Sequence, residues 1–193
     1  MNIKTLGLLL ATALTLVLGA CSPKDEAPDP SASTPAKSYA AVAKEGKGFT
    51  VGAMMSVNTV YVLFDPQCPH CGHLWNASQP LLGKAKFIWV PVAIINGNSA
   101  PQGAALLSAP NPAEAMNLHE ASILAGTGGT PARGGTPPDL EAVIKKNTEL
   151  FSSLQLDSVP FLVARNQQTG QLVSHSGAMD TAALTQLLGL SAK

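Results

Sequence analysis

The chain has 193 residues, 46% of them hydrophobic, with 12 Lys and Arg against 12 Asp and Glu and a formal charge of +0. This is enough apolar material for one packed domain and excludes a wholly disordered chain, while the charge balance offers neither a basic excess for nucleic acid nor an acidic tail. Only three cysteines are present, which excludes a disulfide-stapled mini-protein, and Cys21, Cys68 and Cys71 cannot all pair within one chain.

The leading residues account for one of the three. Lys4 provides a short positive region, and residues 6–18 form an apolar run interrupted only by Gly7, Thr12 and Thr15. The run is too short for an ordinary membrane span and fits a signal peptide over residues 1–20. It ends Leu18-Gly19-Ala20-Cys21, which resembles a bacterial lipoprotein box and implies lipidation at Cys21. Ser22 after the cysteine leans towards the outer membrane rather than the inner one. Residues 22–38 are rich in Pro, Ser and Ala and contain no large apolar residue, so residues 21–48 are expected to be a disordered tether.

A folded domain is expected over residues 49–193. Residues 58–64 are β-branched and aromatic and predict a buried strand, ended by Asp65-Pro66. A helix is predicted from Pro69, kinked at Pro80. Residues 86–95 predict a second buried strand with a bulge or edge at Pro91. Residues 97–156 read as a mainly helical block. Asn111-Pro112 marks one helix start inside it, and a Gly/Pro-rich loop over residues 126–138, centred on Arg133, precedes a helix capped by Thr136. A short strand over residues 160–164, a turn, a partner strand over residues 171–175 and a last helix capped by Asp180 complete the order. Met54 and Met55 are expected in packing, as is Trp75.

The chemistry centres on Cys68-Pro69-His70-Cys71, placed where a strand gives way to a helix. At a helix start the first sulfur faces unpaired N–H groups and the positive end of the helix dipole, which favours its thiolate. Cys68 is therefore the expected nucleophile, Cys71 the resolving thiol one turn on, His70 a tuner of Cys68, and Pro69 a stiffener of the first turn. Three other readings compete: a structural disulfide, disfavoured because so short a loop removes little chain entropy; a metal site formed by Cys68, Cys71 and His70 or His73; and an inert remnant of such a site.

The run Phe64-Asp65-Pro66-Gln67-Cys68-Pro69-His70-Cys71, followed by Leu74-Trp75 and Pro80, resembles the thioredoxin superfamily and within it the catalytic domains of bacterial periplasmic thiol:disulfide interchange proteins of the DsbG/DsbC type. The resemblance implies an α/β fold, a central mixed sheet flanked by helices with a helical insertion between the second and third core strands. It implies that Pro160 is a cis-proline facing the cysteines and that Val159 and Pro160 dock an extended peptide. The Pro69-His70 dipeptide and Val159 are closer to the oxidase DsbA. Val62 stands where thioredoxin has a buried acid, so proton transfer at Cys71 is expected to use water or another group. Asp65 is read as a turn former and His73 as a surface residue.

The expectation is thus an exported, lipid-anchored thiol:disulfide oxidoreductase or isomerase that needs no metal or organic cofactor beyond its Cys68–Cys71 pair. Its expected partners are exported proteins with thiols or disulfides and a membrane redox protein. Residues 22–57 leave no room for the dimerisation domain of the DsbG/DsbC proteins, so a monomer is expected. The alternatives are a metal-binding (Cu/Zn) envelope lipoprotein and a redox-inactive scaffold on the same fold.

Overall fold

The computed structural model describes residues 34–132 and 137–190. The signal peptide, Cys21, Arg133 and Thr136 all lie outside the described residues.

Five strands form one sheet in the order β1-β3-β2-β4-β5, with β2 (Thr59–Phe64) in the middle. β2 runs parallel to β3 (Lys86–Pro91) and antiparallel to β4 (Phe161–Arg165); β1 (Phe49–Gly52) and β5 (Leu172–Ser176) are antiparallel edges. Alternation along β2 assigns its side chains to two layers, as the two-residue strand period requires. Val60, Val62 and Phe64 enter one core with Trp75, Phe87, Trp89, Met116, Leu184 and Leu188. Leu63 enters the other with Val42, Val90, Leu150, Phe151 and Val163. The first core is covered by α2 (Pro69–Ser78), α4 (Pro112–Leu124) and α6 (Thr181–Leu188), the second by α1 (Pro35–Glu45) and α5 (Pro138–Ser153). α3 (Ser99–Leu107) joins α4 and α5.

The helical block expected between β3 and β4 is present as α3, α4 and α5. Asn111 caps α4 by accepting from the Glu114 N–H at its side-chain oxygen, and its amide nitrogen donates to the Glu114 carboxylate. Asp180 caps α6 by accepting from Ala183 N–H at 2.8 Å.

Four expectations need correction. Residues 35–45, placed within the tether, form α1: Thr34 caps it, Pro35 occupies its first turn, and Val42 is fully buried against the sheet. β3 stops at Pro91 rather than Ile95, because Ile94 and Ile95 donate their N–H groups to Asp65 instead of to a strand. The active-site helix ends at Ser78 and continues as a single 3₁₀ turn, Gln79–Leu81, so Pro80 terminates it rather than kinking it. Met54 and Met55 are 61% and 95% exposed, in the turn between β1 and β2, not in packing.

Candidate active site

The site lies at the end of β2. Asp65-Pro66-Gln67 turns the chain from the strand into α2, and Asp65 is the pivot of that turn. Its buried carboxylate accepts from Gln67 N–H at 2.9 Å, Ile94 N–H at 2.7 Å and Ile95 N–H at 3.0 Å, fastening the segment after β3 to the segment after β2. Asp65 is thus a turn former, as expected.

Cys68 is the N-cap residue of α2, Pro69 its first helical residue, and Cys71 sits one turn in. Both sulfurs are thiols and both are buried, Cys68 with 4% exposure and Cys71 with none. The Cys68 thiol is lowered to about 7, first by its hydrogen bond with the Cys71 thiol and then by the main-chain N–H groups of Cys71 and His70; burial and the Asp65 charge oppose this. Burial pushes Cys71 well above the ordinary thiol range, and its hydrogen bond with Cys68 acts in the same direction. One sulfur of the pair is therefore disposed to carry charge and the other to hold a proton.

Val159 and Pro160 precede β4, and the bond between them is cis. The Cys68 thiol lies 3.5 Å from the Val159 carbonyl oxygen, so the two segments singled out in the sequence meet although they are far apart along the chain. Pro69, His70 and His73 are exposed, with the two imidazoles 6.3 Å apart between centroids. His70 acts on Cys68 through its main-chain N–H. Trp75 is fully buried and donates to Asn117 Oδ1 at 2.8 Å, consistent with packing. Among the described residues, no group of three or more His, Cys, Asp or Glu side chains is placed to hold a metal ion.

Three features went unread in the sequence. Glu120 of α4 is buried behind α2, and neither carboxylate oxygen has a hydrogen-bond partner. His119, its neighbour, donates from Nε2 to the Pro66 carbonyl at 2.7 Å and accepts at Nδ1 from Thr130 N–H at 3.2 Å, a pattern that fixes the neutral tautomer. Gln67 and Gln102 bond to each other, and each donates to the Gly128 carbonyl at 2.9 Å, which ties the loop after α4 to the turn that leads into α2. The available signal was helical spacing: the buried residues of α4, Met116, His119, Glu120 and Ile123, recur at one face's period, with two titratable side chains where apolar ones belong.

A strand-to-helix dithiol opposite a cis-proline, on a mixed sheet packed on both faces by helices, is the arrangement of a thioredoxin-like fold. The chain is similar to thiol:disulfide interchange proteins of the Dsb type. No family model matches the chain. Thiol:disulfide interchange protein DsbG of Pseudomonas aeruginosa is 30% identical over 132 residues, 67% of this chain and 50% of that protein. DsbG of Escherichia coli is 35% identical over 65 residues, 33% of this chain and 26% of that protein. The chain thus spans about half the length of the first relative and about a quarter of the second. Among solved structures, the catalytic domain of Proteus mirabilis ScsC superposes with a TM-score of 0.59 at 19% identity, covering 80% of this chain and 94% of that one. A periplasmic thioredoxin-like protein from Salmonella enterica serovar Typhimurium gives 0.59 at 18% identity, covering 79% and 94%.

Proposed function

We propose that the chain is a periplasmic thiol:disulfide oxidoreductase that exchanges disulfides with exported proteins through Cys68 and Cys71. The observation that carries this reading is the asymmetry of the pair, a thiol lowered to about 7 at a helix start and a fully buried thiol raised beside it.

A substrate thiolate attacks the Cys68 sulfur of the Cys68–Cys71 disulfide, the bond between the two cysteines breaks, and a mixed disulfide forms. A second substrate thiolate then displaces Cys68, which leaves as the more stable thiolate. In the opposite direction the Cys68 thiolate attacks a substrate disulfide, and Cys71 resolves the intermediate by displacing the substrate. Val159 and Pro160 dock the extended segment beside Cys68, in the manner of an added strand. Pro69 fixes the first turn, and His70 contributes its N–H. No cofactor beyond the dithiol is required. The lowered Cys68 thiol supports the oxidising direction, because a stabilised thiolate makes the disulfide easier to reduce.

The metal-binding alternative is not favoured, since His70 and His73 face solvent while Cys71 is buried. The Leu18-Gly19-Ala20-Cys21 sequence supports lipidation at Cys21 and a tie to the envelope, the outer membrane in preference to the inner. Among the described residues no helix is long and apolar enough to cross a membrane.

The test is exchange with a reduced peptide and with an interchain protein disulfide. Cys68→Ser is expected to abolish both activities, and Cys71→Ser to accumulate mixed disulfides through Cys68. Alkylation of Cys68 is expected to follow a thiolate with a midpoint near 7. Activity that survives in Cys68→Ser removes the assignment. A reduction potential near about −120 mV supports the oxidant and one near about −270 mV removes it. Radiolabelled palmitate incorporated by the wild type and lost in Cys21→Ala tests the anchor.

A further inference from the structure

The exchange chemistry proposed above leaves one proton unaccounted for. When the disulfide opens, Cys71 departs as an anion inside the protein, in a place that burial makes hostile to charge. We propose that Glu120 supplies that proton: its carboxyl group gives it to Cys71 as the Cys68–Cys71 disulfide opens and takes it back as the disulfide closes. The proposal rests on the exchange reading.

The geometry singles out this side chain. Glu120 is 1% exposed and both its oxygens lack partners, which is costly for a buried carboxyl and calls for a reason. It projects from α4 onto α2 at Gly72, the residue following Cys71. A Cβ built on Gly72 would stand 2.8 Å from Glu120 Oε2 and 3.1 Å from Leu124 Cγ, so the missing side chain is what admits the carboxyl. The other titratable groups around the pair are unsuited. Asp65 has its oxygens taken by three main-chain N–H groups. His119 has both ring nitrogens engaged. His70, His73 and Glu114 are exposed. α3 and β1, which also pack on α4, carry no titratable side chain. Burial first, and the Cys68 charge second, push Glu120 up to about 9, so the dithiol form holds it as the neutral acid.

The step balances as follows. An incoming thiolate bonds to the Cys68 sulfur, the electron pair of the broken S–S bond goes to the Cys71 sulfur, and the Glu120 proton joins it. The carboxylate left behind regains a proton from water. In reverse, Cys71 attacks the Cys68 sulfur of a mixed disulfide and its proton passes to the carboxylate. The substrate sulfur then leaves as a thiolate.

The experiment follows the opening of the disulfide in the full chain by dithiothreitol, from about pH 6 to about pH 10, with each rate expressed per reductant thiolate. The wild-type rate is expected to fall as the carboxyl ionises in the disulfide form, through a midpoint above the ordinary carboxyl range and below the value of about 9 that it holds in the dithiol. Glu120→Gln is expected to open about 100-fold more slowly and without that midpoint, and Glu120→Asp to recover part of the rate. Carbon-13 titration of the wild-type carboxyl, which needs no variant, is expected to place Glu120 near 9 in the dithiol and lower in the disulfide, where the Cys68 charge is gone. A Gln variant with the wild-type rate and profile, or a carboxyl that titrates in the ordinary range in both forms, overturns the relay. Rapid opening by dithiothreitol with no exchange on protein substrates overturns the functional reading and leaves the relay standing.

Discussion

The two cysteines are three residues apart and experience opposite environments. Cys68 caps a helix, gathers N–H donors and is lowered to about 7; Cys71, inside the first turn, has burial against it. Glu120 shares the Cys71 environment, and this has a thermodynamic cost that can be measured. Its carboxyl sits near 9 when folded and near the ordinary value of about 4.3 when unfolded, so between those limits the folded state binds more protons and stability falls as pH rises. Glu120→Gln removes that slope. Its stability is expected to match the wild type near about pH 4 and to exceed it by on the order of 2–4 kcal/mol at about pH 7, by urea unfolding of the dithiol form. A variant that is more stable yet slower at disulfide opening is what a residue kept for chemistry should produce.

At the scale of elements, the architecture depends on two pieces that sequence patterning treats unequally. β2, β4, α2, α4 and α6 were legible, because each joins a clear apolar period to a terminal signal: Pro69 after Cys68, Asn111-Pro112, Asp180. α1 was not. Its composition is Ala, Lys and Ser with two larger apolar side chains, Tyr39 and Val42, so the Pro- and Ser-rich background hid the Thr34-Pro35 start that resembles Asn111-Pro112. Tertiary packing makes the helix matter: Val42 is fully buried in the second core and Tyr39 meets Tyr61 edge to face at 5.4 Å. Val42→Ala is expected to destabilise by about 1.5–3 kcal/mol with unchanged exchange kinetics, as measured by denaturant unfolding. Of the site, the dithiol was legible from its local motif and the Val159-Pro160 segment from the family resemblance. Glu120, His119 and the Gln67–Gln102–Gly128 tie were not, because they depend on which face of α4 meets α2 and on where the following loop returns.

Across the whole molecule, two buried titratable groups on adjacent positions of α4 shape the pH response from opposite sides. Burial lowers His119 from its ordinary 6.5, so below that pH the unfolded chain binds a proton that the folded one resists, and stability falls as pH falls. Glu120 lowers stability as pH rises. The dithiol form is therefore expected to reach its highest melting temperature in mildly acidic to neutral solution. His119→Gln is expected to flatten the acidic limb, and Glu120→Gln to raise the melting temperature above that of the wild type once pH exceeds the ordinary carboxyl range, in thermal unfolding followed by circular dichroism. The layers also give the molecule a direction. α1 passes Tyr61 at its middle and ends where Lys47 bonds Asn147, which also takes the Pro91 carbonyl. Pro91 pairs with Phe64, at the end of the sheet that bears Cys68. The helix thus starts at the opposite pole. A restraint on the chain ahead of Thr34 would therefore hold the domain at the end away from Cys68 and leave the Cys68 end, with its exposed Pro69 and His70, unobstructed.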